Sequence, residues 1–117
     1  MARSTASIRE LTGVTIVDFS GVLMLGESAA LFRKTISELL GSGRTRIILN
    51  FRGLTTVDSA GVGELVAAYA LMKSKEVSLK LLNPPHNVQG VLKLTNLANL
   101  FDVYADEILA LHSFDQP

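Results

Sequence analysis

Two hydrophobic periods alternate along the chain, and this alternation constrains the fold more than any other feature. Short runs that are apolar at most positions alternate with stretches whose apolar residues recur every three or four positions. The first pattern is typical of strands buried on both faces, and the second is typical of helices with one apolar side. Strands that alternate with helices favour parallel pairing through right-handed crossovers. We therefore predict an α/β fold with a mixed, mainly parallel sheet.

The predicted element order is β-β-α-β-α-β-α-β-α, which amounts to about four to five strands and about four helices. The predicted strands cover residues 8–11, 14–19, 46–51, 77–82 and 101–104. The predicted helices cover residues 27–40, 59–72, 87–94 and 106–111. A tight turn at Thr12-Gly13 separates the first two strands, and the second helix has an apolar stripe that includes Leu65, Tyr69 and Met72.

Length and composition limit the classes of protein that the chain can represent. With 117 residues it has room for one domain, which we expect over residues 1–117 with a core at about 8–111. Eleven basic residues balance eleven acidic ones, so the charge does not predict a nucleic-acid partner. Because the chain lacks cysteine and its two histidines lie far apart, we predict no disulfide, no metal and no cofactor.

The apolar segments are too short for a membrane span. The most apolar stretch, residues 62–72, contains Glu64 and is far shorter than the roughly 20 residues that a spanning helix requires. The first residues have no apolar core of the kind that a signal peptide needs. We therefore expect a cytoplasmic protein without membrane insertion.

The segment around Asp58 and Ser59 is the most informative part of the sequence. Both residue types are preferred at helix N-termini because their side-chain oxygens accept hydrogen bonds from unpaired amides. Gly61 and Gly63 follow in the first turn of the predicted helix, where each glycine costs up to about 1 kcal/mol relative to Ala. Either the glycines relieve crowding against a neighbouring element, or this backbone is approached closely by another molecule.

Enzymatic motifs match this segment only in part. The glycine pair lacks the third glycine of a dinucleotide fingerprint, and the chain has no P-loop. A hydrolase nucleophile elbow around Ser59 lacks its first glycine, which is Val57 here. Asp102 or Asp106, followed by His112, does fall in the chain order of a hydrolase triad. An esterase is thus an alternative of a different class, although the motif does not support it.

The run GLTTVDSAGVG at residues 53–63 resembles the signature of the STAS domain, and specifically of bacterial anti-sigma factor antagonists. The run LKLTNL at residues 92–97, followed by Phe101, Tyr104 and Glu107, is similar to the end of that domain. The likeness extends from about Ile8 to Leu111. It implies a single STAS-like α/β domain that acts by binding and is not an enzyme.

The resemblance also implies a regulated partner. In the family, the serine after the aspartate is phosphorylated by a kinase that is itself the anti-sigma factor, so Ser59 is the implied phosphoacceptor. The unphosphorylated protein binds this serine kinase and frees the sigma factor, phosphorylation breaks the complex, and a serine phosphatase restores it. The implied partner contact consists of Asp58, Ser59, Ala60, Gly61, Val62, Gly63, Met24 and Leu25.

The turn near residue 24 departs from the family pattern. Many members carry an acidic residue where this chain has Met24. Packing of Met24 and Leu25 against the next helix is the simpler interpretation, and an altered docking patch is the alternative. Thr55 and Thr56 are alternative phosphorylation sites, for which roles in a turn or cap are the simpler explanation.

The family resemblance leaves a second function open. A STAS domain can also be a scaffold or accessory subunit, in a stress-signalling complex or on a lipid or anion transporter, without regulated phosphorylation. The sequence leaves the oligomeric state undecided between a monomer and a weak dimer.

Overall fold

A computed structural model describes residues 3–94 and 102–115, which contain six strands and four helices. The strands are β1 (Thr5–Leu11), β2 (Val14–Leu23), β3 (Arg46–Asn50), β4 (Leu54–Val57), β5 (Ser78–Leu82) and β6 (Asp102–Tyr104). The helices are α1 (Glu27–Gly41), α2 (Ser59–Ser74), α3 (His86–Leu94) and α4 (Glu107–Ser113).

The predicted α/β class and all four predicted helices are confirmed, but the described residues form six strands rather than four to five. The sequence prediction missed β4, which has four residues, two of them exposed threonines. Its pairing partner is the end of β2, which runs four residues beyond the predicted limit, from position 19 to Leu23. The predicted features at Thr95, Asn96, Leu97 and Phe101 lie outside the described residues.

The sheet is mixed and mainly parallel, with strand order β1-β2-β3-β5-β6. β1 is antiparallel to β2, whereas the pairs β2–β3, β3–β5 and β5–β6 are parallel. β4 pairs in parallel with the last residues of β2, so that Leu23 lies opposite Val57. Each parallel crossover moves to the next strand in the same direction, and right-handed crossovers therefore place α1, α2 and α3 on one face of the sheet.

Each face of the sheet has its own core. On the face covered by α1, α2 and α3, Phe19 and Phe32 meet edge to face with ring centroids 5.6 Å apart, and Phe51 completes an aromatic group. On the opposite face, Ala110 of α4 packs against a smaller cluster. That cluster consists of Val14, Ile16, Ile48 and Leu82. Alternate residues of β2 thus serve both cores, as expected for a strand covered on both sides.

A polar network joins the start of α4 to the sheet. Arg9 Nη2 donates to Asp18 Oδ1 at 2.9 Å and to Glu107 Oε1 at 2.7 Å. Asn50 Nδ2 also donates to Asp18 Oδ1, at 2.7 Å. The Arg9 guanidinium is the main cause that lowers the pKa of Asp18 below its usual value, although partial burial of the carboxyl opposes it. The ionised form of Asp18 therefore contributes more to the stability of the fold than its protonated form does.

This network predicts a component of acid sensitivity. The pKa of Asp18 is lower in the folded chain than its unfolded value of about 3.9. Its stabilisation is therefore fully present above about pH 4 and is lost as the pH falls through the folded pKa. We expect D18N to lower the free energy of unfolding at pH 7 by about 1 kcal/mol, and this deficit to shrink in acid. Urea titrations at several pH values measure both effects.

D102N is the matched control for D18N. Asp102 also forms an ion pair, with Lys80 Nζ at 3.0 Å, but its side chain is 64% exposed. Exposed pairs contribute little, so D102N is expected to change the unfolding free energy by less than about 0.5 kcal/mol. Equal losses in the two variants, or a D18N deficit that stays constant down to about pH 2, would contradict the assigned role of Asp18.

Candidate functional site

The predicted site residues come together at one edge of the sheet, where β2 and β4 end and α1 and α2 begin. Asp58 N donates to Leu23 O at 3.3 Å, which continues the parallel pairing of the two strands. The turn after β2 and the first turn of α2 therefore lie side by side. This places Met24 and Leu25 on the same edge as Asp58 and Ser59.

The Asp58 carboxylate holds these two segments together. Asp58 is the N-cap of α2, and its Oδ1 accepts a hydrogen bond from Gly61 N at 2.8 Å. Its Oδ2 accepts a second bond from Leu25 N at 3.0 Å. Donation by these two amides, Leu25 first and then Gly61, lowers the pKa of Asp58 below its usual value. The site therefore carries a fixed negative charge at neutral pH.

The two glycines of the motif have different surroundings. Gly61 is buried, and a Cβ atom there would lie only 2.1 Å from Leu23 O, so no other residue fits without a shift of the backbone. For Gly61 the crowding interpretation is confirmed. Gly63 is exposed, and an added Cβ would meet no atom of the described residues within 4 Å beyond its chain neighbours and nearby helix backbone. Crowding therefore does not explain Gly63.

Ser59 is exposed at the first position of α2, beside the Asp58 cap. Within residues 3–94 and 102–115, no hydrogen bond engages its hydroxyl group. Next to it, Ala60 and Val62 are partly buried and Gly61 is buried. The hydroxyl is accessible to a macromolecule, and the open end of a helix tolerates added negative charge.

Met24 and Leu25 lie on the surface, next to the Asp58 cap. The exposed fraction of Leu25 is 82% and that of Met24 is 36%. Their backbone is held in place, because Met24 N donates to Ser28 Oγ at 2.8 Å and Met24 O accepts from Ala29 N at 3.1 Å. The interpretation that both side chains pack against the next helix is therefore wrong for Leu25.

The alternative phosphorylation sites are two exposed threonines of β4. Thr55 Oγ1 donates to Gly21 O at 3.0 Å, which connects β4 to β2. Thr55 therefore has a structural role, but in a strand pair rather than in the turn or cap that the sequence favoured. Thr56 is exposed and lies opposite Val22 in the parallel pairing.

The hydrolase alternative fails on geometry. His112 belongs to α4, which covers the opposite face of the sheet from α2. Asp106 caps α4 by accepting from Leu109 N at 3.0 Å, and Asp102 pairs with Lys80. The three members of the triad therefore do not meet.

In the described parts of the chain, no group of three or more His, Cys, Asp or Glu side chains is arranged to hold a metal ion. None of the helices there combines the length and apolar character needed to cross a membrane.

Comparison with known proteins assigns the family. The sequence model of the STAS domain family matches residues 5–110 of this chain. This chain belongs to the STAS domain family. An anti-sigma F factor antagonist of Paenibacillus polymyxa is 29% identical to it over 102 residues, which is 85% of each protein.

Solved structures of STAS proteins share this fold. The crystal structure of a Thermotoga maritima protein, provisionally named an anti-sigma factor antagonist, has a TM-score of 0.83 and 25% identity over 95% of both chains. The Bacillus cell fate determinant SpoIIAA, solved in its phosphorylated form, has a TM-score of 0.75 and 24% identity. That match covers 94% of this chain and 99% of SpoIIAA, so the STAS fold extends over nearly the whole sequence.

The two hydrogen bonds of Asp58 predict a selective effect of D58N. An asparagine oxygen still caps Gly61 N, but its amide group cannot accept from Leu25 N–H. Amide hydrogen exchange should therefore become faster at Leu25 while Gly61 stays protected, and NMR measures both sites.

D106N provides the control for D58N. Asp106 caps α4 through a bond to Leu109 N alone among the described amides, and asparagine can replace it there. Protection of the Leu109 amide should therefore be unchanged. If D58N lost protection equally at Leu25 and Gly61, the assignment of one carboxylate oxygen to each amide would be wrong.

Proposed function

We propose that this STAS domain is an anti-sigma factor antagonist that binds a serine-kinase anti-sigma factor and is switched off by phosphorylation of Ser59. The Ser59 hydroxyl carries the proposal, because it is exposed at the start of α2 and has no hydrogen bond among the described residues. The relatives support it, since the P. polymyxa protein is named an anti-sigma F factor antagonist and SpoIIAA has been solved in a phosphorylated form.

Local electrostatics can operate such a switch without refolding the domain. A phosphate on Ser59 adds about −1.5 to −2 charges beside the ionised Asp58 carboxylate. The positive end of the α2 dipole can accommodate that charge within the domain. A partner surface shaped for a small hydroxyl would instead meet a larger, doubly charged group. Like charges brought together at an interface cost several kcal/mol, which is enough to break a complex.

In the proposed phosphorylation cycle, each partner carries out one step. The unmodified domain binds the kinase and thereby releases the sigma factor. The kinase then transfers phosphate from ATP to Ser59, which ends the complex. A serine phosphatase removes the phosphate and regenerates the binding form. The domain is a substrate in this cycle and is not an enzyme. It uses no cofactor of its own, and it acts in the cytoplasm, where sigma factors function.

Phosphate transfer tests the proposal directly. The probe is the kinase recovered by affinity purification on the unmodified domain, incubated with labelled ATP. We expect label on the wild type and on T55V/T56V but none on S59A. Ser59 lies at the exposed start of α2, directly after the Asp58 cap, whereas both threonines belong to β4. Peptide mass spectrometry locates the phosphate.

Binding measurements complete this test. S59A should bind the same kinase with an affinity close to that of the wild type, and S59D at least about a hundredfold more weakly, because a charge replaces the hydroxyl. Equal binding of wild type, S59A and S59D, with no phosphate transfer, would contradict the switch and indicate a STAS scaffold without regulated phosphorylation.

Gly63 provides a second test, because it lies one helical turn after Ser59 and has open space above it. G63A should raise the free energy of unfolding by up to about 1 kcal/mol, since alanine is the better helix former. The same methyl group should weaken kinase binding, because it occupies space that the partner needs beside Ser59. Thermal unfolding and calorimetric titration measure the two opposite effects.

G90A is the matched variant for G63A. Gly90 is also a helical glycine, in α3, whose added Cβ would meet no described atom within 4 Å beyond its chain neighbours and nearby helix backbone. It should stabilise the fold to a similar degree without changing kinase affinity. If G63A bound the kinase as tightly as G90A does, the partner surface would not extend along α2 to Gly63.

A further inference from the structure

An apolar surface lies next to the proposed phosphorylation site. Leu25 is 82% exposed, the largest exposed fraction among the described large apolar residues, and Met24 is beside it. Both line a cleft of about 570 Å³ that extends towards β1 and α1. Its other lining residues are Val22, Leu31, Arg3, Ser4, Glu27 and Ser28. Half of the lining residues are apolar, so the apolar surface includes more than one side chain and borders polar and charged ones.

The backbone beneath this surface is fixed. Leu25 N is bonded to the Asp58 carboxylate, and Met24 is bonded through both its N–H and its carbonyl group to the first turn of α1. Gly26, with φ of +108°, then allows the chain to enter α1. A side chain presented on a fixed backbone loses less conformational freedom on binding than one on a mobile loop.

The same bonds join the apolar surface to Ser59. Asp58 contacts Leu25 through one oxygen and the first turn of α2 through the other, at 3.0 and 2.8 Å. A macromolecule that covers the Ser59 hydroxyl therefore also reaches Leu25. A single exposed leucine is ordinary in a folded protein, but an exposed leucine held against a recognition site is a candidate anchor.

We propose that Leu25, supported by Met24, is the apolar anchor of the Ser59 surface and that the kinase has an uncharged apolar recess opposite it. This inference rests on the proposed function, because it assigns the chemistry of the partner at that same site. The anchor supplies affinity and partner choice, whereas the Ser59 hydroxyl decides whether the complex persists.

The experiment uses L25D and the kinase identified by phosphate transfer to Ser59. Burial of a leucine side chain corresponds to about a tenfold to hundredfold difference in affinity, so L25D should raise the Kd and the KM for phosphate transfer by that factor. The kcat at saturation should change little, because the substitution leaves the Ser59 hydroxyl in place. L25M, which retains an apolar side chain, should restore binding to within about threefold of the wild type.

L109D is the matched control for L25D. Leu109 is also an exposed leucine, at 62%, but it lies on α4, which covers the opposite face of the sheet. It should leave kinase binding unchanged. Thermal unfolding of L25D should resemble that of the wild type, because any residue except proline retains the N–H that bonds Asp58. If L25D lost stability, L25A would replace it with the same expected direction.

The outcomes separate the anchor from the switch. If S59D abolished binding while L25D and L25A bound within about twofold of the wild type, the anchor would be wrong and the switch would stand. If L109D weakened binding as much as L25D, the loss would not be specific to the Ser59 surface and the anchor would again be wrong. Loss in L25D with rescue in L25M would support it.

Discussion

The shared Asp58 carboxylate is the interaction on which the site depends. Its two oxygens bond amides from segments that are 33 and three residues away in sequence, one in the turn after β2 and the other in α2. A neutral side chain could cap the helix but could not also hold the turn by the same pair of bonds. Because the donated bonds favour the charged form, the carboxylate stays ionised. The same group that connects the two segments therefore gives the surface its negative charge.

The sheet topology brings the two segments within reach of this carboxylate. β4 extends beside the last residues of β2, so the strands that lead to the turn and to α2 end at the same edge. The close approach of Gly61 to Leu23 O then sets how near α2 lies to that strand end. On the opposite face, the Arg9 network fixes α4, which leaves the edge with Ser59 uncovered by that helix.

The sequence predicted the helices, the strands and the location of the site better than it predicted the hydrogen bonds within the site. Hydrophobic periods are a local property of the sequence, and among the described residues they located four helices and five of six strands. They missed β4 because it is four residues long and depends on a partner strand that is distant in sequence. The close contact at Gly61 could be predicted, because a glycine inside a helix destabilises it and so indicates crowding or close approach. The second bond of Asp58 could not be predicted, since any non-proline residue at position 25 offers the same backbone N–H.

The proposed switch and anchor also differ in how far their effects extend, which explains why they need to be adjacent. At physiological salt, charges are screened beyond about 8 Å, so a phosphate acts only on a partner group close to Ser59. Shifting a two-state equilibrium from 99:1 to 1:99 takes about 5.5 kcal/mol, near the upper end of what one unfavourable charge contact supplies. Asp58 beside Ser59 is ionised in both states, so the phosphate supplies the difference between them. The proposed apolar contact at Leu25 is not weakened by charge screening. A surface that combines them can therefore bind firmly and still be released by one modification.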